Sequence, residues 1–294
     1  MVSKQRVLIS ISGGRTSAMM AFLIKKAYGH IYDLIFVFAN TGREKKETLV
    51  FLDKVDKHFN LGVVWVEAVV HHGRRKACTH KVVTFETACR NGDVFEEVIK
   101  KYGIPNSGFK HCTRELKRNP IKSYAKSLGW SSYRIAIGYR ADEPKRVNWE
   151  KAKKEKQWYL LAELGIKKPD VALFWSQQPF DLGLKDYEGN CKLCHKKARR
   201  KLLTQIVESP EDTVWVKDME VKYEQVKPGK KKKNKTPVRF FREGDTIDDL
   251  IEESRLPFNR AIDQSNITVG ARELSEFNVE MDYEEECAES CEPF

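Results

Sequence analysis

Four apolar runs dominate the first half of the chain: "RVLISIS" (6–12), "DLIFVFANT" (33–41), "GVVWVEAVV" (62–70) and "SYRIAIGYR" (132–140). Each is continuously apolar at its centre rather than strictly alternating, which is the mark of a strand buried on both faces. Helical stretches lie between them. Residues 17–27 form one, and "KKETLVFLDKVDKHF" (45–59) is amphipathic at helical spacing. Buried strands that alternate with helices predict a doubly wound parallel α/β sheet, in which ligands bind at the carboxyl ends of the strands.

The remaining segments are less regular. Residues 75–125 read as mostly helical, and "QWYLLAELGI" (157–166) as a helix. "TVWVKDMEVKYEQV" (213–226) and "VRFFREG" (238–244) lean towards strand, so the basic, turn-rich "VKPGKKKKNKTPV" (226–238) between them reads as a hairpin loop. "TIDDLIEESRL" (246–256) is a helix with a threonine cap and an acidic first turn. The organisation expected is a ligand-binding domain over 1–200, a basic β-hairpin and helix extension over 201–270, and an acidic mobile tail over 271–294.

Charge is split along the chain. The net charge is +11, yet residues 191–242 carry 16 Lys/Arg against 6 Asp/Glu and residues 243–294 carry 3 against 16. A basic surface of this kind attracts anionic ligands, nucleotides or nucleic acid. No apolar run reaches the roughly 18 residues of a membrane span, and no membrane partner is expected. "MVSKQRVLISISGG" reads as a first strand, not a signal peptide. A cytoplasmic location follows as the expectation, where the seven cysteines serve metal or redox chemistry rather than disulfides.

The segment "SISGGRTSAMM" (10–20) joins the first strand to the first helix. Gly13 and Gly14 let backbone N–H groups approach an anion at the helix N-terminus. Ser12, Thr16 and Ser17 add hydroxyl donors, and Arg15 is long enough to reach a phosphate or sulfate oxygen. No G-K-[ST] and no G-x-G-x-x-G occurs, so neither a Walker A loop nor a dinucleotide fingerprint is present.

"SGGRTS" resembles the pyrophosphate loop (S-G-G-x-D-S) of the adenine nucleotide α-hydrolase-like, or PP-loop, superfamily. "FANTGREKKETLVFLDKV" (38–55), "HCTRELKRNPI" (111–121) and "GYRADE" (138–143) resemble, in order, three segments of the phosphoadenosine-phosphosulfate (PAPS) and adenosine-phosphosulfate (APS) reductases. The resemblance runs from about residue 7 to residue 200. It implies a Rossmann-like fold with an adenylyl group bound near residues 12–17, Thr41 and Gly42, and with Gly138 and Arg140 beside the nucleotide. Thr16 stands where the ATP-cleaving members carry aspartate. Reductases start from an activated sulfonucleotide and need no such step.

Cys112, Cys191 and Cys194 are the candidate metal ligands. The C-x-x-C of "GNCKLCHKKARR" turns two thiolates towards one centre, and soft sulfur suits an iron–sulfur cluster or zinc. Dense flanking cations favour an anionic thiolate site. In the iron–sulfur APS reductases a CC pair and a later C-x-x-C hold the cluster. Here the pair reads His111 and Cys112, so the resemblance implies a 4Fe–4S cluster with either an open iron or a histidine, His111 or His195, as fourth ligand. Zinc held by the same residues is the alternative.

The chain ends in "YEEECAESCEPF", similar to the reductases' cysteine-bearing tail. That similarity implies Cys287 or Cys291 as a nucleophile attacking a bound sulfonucleotide, with the other cysteine resolving the intermediate as a disulfide. A thiol reductant such as thioredoxin would then be a partner. Lys230, Lys231, Lys232, Lys233 and Lys235 could grip a phosphate backbone, which leaves nucleic acid as another possible partner. Three functions are therefore in play: a sulfonucleotide reductase, a PP-loop sulfur transferase acting on tRNA or DNA, and a nucleotide-binding module without catalysis.

Overall fold

Six strands form one sheet in the order β4-β3-β2-β1-β5-β6. They are β1 (Arg6–Ile11), β2 (Asp33–Asn40), β3 (Val63–Val69), β4 (Thr79–Val83), β5 (Arg134–Ala136) and β6 (Gln157–Trp158). All neighbours run parallel except β4, which is antiparallel to β3. The structure, a computed structural model, describes residues 4–73, 75–189, 191–226 and 237–276.

The helices are α1 (Arg15–Tyr28), α2 (Lys46–Phe59), α3 (Asp93–Tyr102), α4 (Asn119–Ser127), α5 (Trp149–Glu155), α6 (Leu160–Glu163), α7 (Lys168–Ser176), α8 (Arg199–Glu208), α9 (Asp212–Tyr223) and α10 (Ile247–Ser254). Successive strand residues point to opposite faces, and the cores divide accordingly. Val7, Ile9 and Ile11 of β1 pack with α1, α2 and α7, whereas Leu8 packs with Ile121 and Ala125 of α4 and Ala152 of α5. The sheet is covered on both faces, which is the Rossmann-like doubly wound arrangement expected. A third core gathers α3, α8, α9 and α10 around Leu116, Leu193 and Phe240.

From β1 the chain builds outward through β2, β3 and β4, then returns to β5 on the other side. The strand order reverses beside β1, so the loops after β1 and β5 open a crevice at their carboxyl ends.

Three segments differ from expectation. Residues 79–83, within the stretch read as mostly helical, form the edge strand β4, where Lys81 pairs opposite Glu67 and reaches its carboxylate at 3.0 Å. Residues 212–223, read largely as the first arm of a hairpin, form helix α9; Val216 and Met219 sit one turn apart and are buried in the third core. That burial overrides the β-leaning composition. "QWYLLAELGI" splits into the short β6 and the single-turn α6. Helix α10 begins as expected: Thr246 accepts from Asp249 N–H and Asp249 accepts back from Thr246 N–H, a capping box. Lysines 230–233 and 235 and the tail cysteines Cys287 and Cys291 lie outside the described residues.

Candidate functional site

Two hollows lie at the carboxyl edge of the sheet. The first follows β1. Ser17 laces the glycine loop: its Oγ accepts from Ser12 N–H at 3.0 Å, lies 2.9 Å from Ser12 Oγ and donates to Gly14 O at 3.2 Å. Gly13 holds φ +82°, and a Cβ there would stand 2.6 Å from Thr48 Cγ2. Gly138, after β5, presses on the same loop, with space for a Cβ only 3.1 Å from Ser17 Cα. The loop is thus fixed from both sides, while the first N–H groups of α1 have no intrahelical acceptor.

Arg140 is buried and bridges the two loops. Its Nε donates to Asp142 at 2.8 Å and its Nη1 to Thr16 Oγ1 at 3.4 Å. Arg15 does not extend freely into the cleft; its Nε donates to Asp181 at 2.6 Å and its Nη1 to Leu184 O at 3.1 Å. Ser12, Gly14, Arg15, Thr16 and Arg140 line this cleft with Lys168, Asp186 and Ser265. Asp186 had no sequence signature. Its Oδ2 takes Lys168 Nζ at 2.9 Å, while its buried Oδ1 has no hydrogen-bond partner. The cleft therefore combines N–H donors, cations and one carboxylate oxygen able to accept from a hydroxyl or amine.

The second hollow collects the three candidate cysteines. Cys112, Cys191 and Cys194 line one cavity with Thr41, Arg43, Lys117, His195 and Trp215. Cys112 immediately precedes a π-helical segment, Thr113–Arg118, that runs straight into α4. The wider coil of a π segment is a recurrent feature of functional sites. The C-x-x-C loop docks on the turn after β2: Cys191 bridges Glu44, and Lys192 N–H donates to Arg43 O at 2.9 Å. Leu193, between the cysteines, adopts φ +47°, and Cys194 N–H closes the turn on Cys191 O at 3.2 Å.

Thr41 belongs to this cavity and does not line the glycine-loop cleft. Its hydroxyl donates to Glu44 at 2.8 Å and lies 3.4 Å from Cys191 Sγ. Gly42, at φ +78°, packs against Cys89 Sγ instead. His111 is absent from the cavity lining, and its Nε2 donates to Gly103 O at 2.8 Å. His195 does line it, with a buried Nε2 that has no partner. Of the two histidines, His195 is the one placed beside the thiols.

Burial sets the protonation of this cavity. It pushes the Cys191 thiol up to about 12, assisted by Glu44, and holds His195 and His111 down at about 4. Lys197, beside Cys194 and Cys191, is lowered by burial to about 8. The donor set, three sulfurs and one neutral imidazole, fits zinc or an iron–sulfur cluster, because a metal displaces thiol protons, including the one that burial retains on Cys191. Among the described residues no three His, Cys, Asp or Glu side chains already stand as a metal-holding group, so the thiols would have to close on an ion.

Over 200 residues the chain is 35% identical to an uncharacterized nin region protein, ORF290, of Escherichia phage lambda, covering 66% of this chain and 67% of the phage protein. The chain belongs to that protein's family. It also matches two uncharacterized proteins of Methanocaldococcus jannaschii, MJ0066 at 26% identity over 121 residues and MJ0973 at 29% over 117. Those matches cover 41% and 40% of this chain but only 20% and 22% of the archaeal proteins. No family model matches. Among the described residues no helix is long and apolar enough to cross a membrane.

Proposed function

We propose that the protein is a reductase of the PAPS type, reducing an adenylyl sulfate to sulfite and an adenosine phosphate with thiols as reductant. One observation carries the reading. Three cysteines from two distant segments line one cavity, and Gly189, two residues before Cys191, lines the glycine-loop cleft. A glycine-loop cleft and a thiol cavity lined from one short stretch of chain suit chemistry between an adenylyl-bound group and sulfur.

The glycine loop cradles the anionic end of the nucleotide through the N–H groups at the start of α1, and Arg140 offsets its charge. Thr16 supplies a neutral hydroxyl where a metal-binding carboxylate would serve ATP cleavage, so an already activated sulfonucleotide is the better substrate. Cys287 or Cys291 attacks the sulfate sulfur; the S–O bond to the phosphate breaks and the adenosine phosphate leaves. The other thiol then attacks the cysteine sulfur of the thiosulfonate, releasing sulfite and leaving a disulfide that thioredoxin or a similar dithiol reduces. Cys112, Cys191 and Cys194, with His195, would hold a 4Fe–4S cluster, or zinc in its place. With the three thiols alone as ligands, such a cluster would leave one position for a sulfur atom.

Anaerobic incubation with APS or PAPS and dithiothreitol tests this directly. Sulfite and the matching adenosine phosphate should form in equal amounts, and Cys287→Ser, Cys291→Ser or the double substitution should abolish them. Tight nucleotide binding without sulfite release from either substrate would refute the reductase reading.

A further inference from the structure

Arg43 is a charged residue that the fold buries. It is 7% exposed, and among the described residues its Nε and Nη2 have no hydrogen-bond partner. Those two nitrogens form one planar edge of the guanidinium, the edge that matches two oxygens of an oxyanion. Elsewhere in this protein the same edge of Arg15 grips Asp181. In Arg43 that edge is buried and, among the described residues, unpartnered.

The surroundings hold the group in place. The guanidinium carbon stacks 4.2 Å from the Trp215 ring centroid, a cation–π contact. Gly92 makes room for that stack: at φ +91°, a Cβ there would fall 2.5 Å from Trp215 Nε1 and 2.9 Å from Arg43 Cδ. The nearby carboxylates are engaged elsewhere. Asp212 takes Lys192 at 2.7 Å, and Glu44 accepts from Thr41 N–H and hydroxyl at 3.0 and 2.8 Å. Burial lowers the Arg43 pKa, with Cys191, Asp212 and Glu44 opposing the shift. A buried charge in a native protein is ordinarily paired.

We propose that the cysteine cavity binds a small oxyanion, held by the Nε and Nη2 edge of Arg43 beside Trp215. Arg43, Trp215 and the three cysteines line the same cavity of about 30 Å³. A single water needs ~10–15 Å³ by this measure, so the space suits a compact ion and excludes a nucleotide. Placed here in the metal-free chain, an ion of sulfur would lie among the thiols, in the space that a metal held by them would take. The proposal rests on the reductase reading only for the ion's identity; the site itself stands on Arg43.

The test uses the full chain, freed of metal by anaerobic chelation, with sulfite, sulfate and phosphate as separate probes in equilibrium dialysis and tryptophan fluorescence. Adenosine 5′-phosphate binding is measured in the same samples. The expected result is uptake of about one ion per chain, weakened at least tenfold by Arg43→Gln and less by Arg43→Lys, with nucleotide affinity unchanged. Trp215→Phe should erase the fluorescence response while dialysis still detects the ion. Preference for sulfite or sulfate would tie the site to sulfur chemistry, and preference for phosphate to phosphoryl groups. Should Arg43→Gln fail to fold, Arg43→Lys keeps the charge without the fork and must still bind more weakly. Uptake of none of the three ions, or equal uptake by wild type and the Arg43 variants, would overturn the proposal. The reductase reading fails on a different result, absence of sulfite release from a bound nucleotide.

Discussion

Gly13→Ala separates the two reasons for a glycine at the tip of the loop after β1. At φ +82° an L side chain costs ~1–2 kcal/mol. The added methyl would also stand 2.6 Å from Thr48 Cγ2. Thr48 is 5% exposed on α2 and its branched Cβ limits rotation, so relieving the overlap costs a further ~1–3 kcal/mol. The sum, ~2–5 kcal/mol, should appear in urea unfolding. Thr48→Ser removes the offending methyl and keeps the hydroxyl, so the double variant should recover the steric part and retain the backbone part. Gly14→Ala is the control: its backbone is extended, and a Cβ would meet only Ser12 Oγ at 3.7 Å. Stability should then change by less than ~0.5 kcal/mol, while nucleotide affinity falls because Gly14 lines the cleft. Equal stability of Gly13→Ala and wild type, or no coupling with Thr48→Ser, would refute the reasoning.

Arg140→Gln strips the cation from buried Asp142 and Glu143; a loss of ~3–5 kcal/mol is expected in the same unfolding assay. Asp186→Ala removes the unpartnered acceptor in the cleft, and adenosine 5′-phosphate binding should weaken roughly tenfold by calorimetry. His111 and His195, held at about 4 when folded, are neutral above their unfolded value of ~6.5 in both states. Below it the unfolded chain takes up the protons first, so metal-free protein should lose up to ~3 kcal/mol per histidine as pH falls from 6.5 to 4. His195→Gln should flatten its share of that slope, measured by unfolding at pH 7, 5.5 and 4.

The central sheet was legible because β1, β2 and β3 are buried on both faces and so leave unbroken apolar runs. The caps of α10 and the glycine loop were legible for the same reason: their chemistry is local. β4 was not, since its short stretch "THKVV" becomes a strand only by pairing with β3. Helix α9 was hidden by its valines, of which Val216 alone is buried, in a core assembled from α3, α8 and α10. Cys112 and the C-x-x-C pair could be matched to one site by pattern, but Arg43, Asp186 and the position of Thr41 could not. Each is a single residue whose role arises from a neighbour far away in the chain, as with Arg43 on Trp215.

The most direct test of the account is elemental analysis of anaerobically purified protein for iron, acid-labile sulfide and zinc, on wild type and on Cys112→Ser, Cys191→Ser and Cys194→Ser. The account predicts about four irons and four sulfides per chain, or one zinc in their place, lost in each variant alone because the three thiols serve one centre. Absence of both metals, or undiminished metal in any one variant, would contradict it.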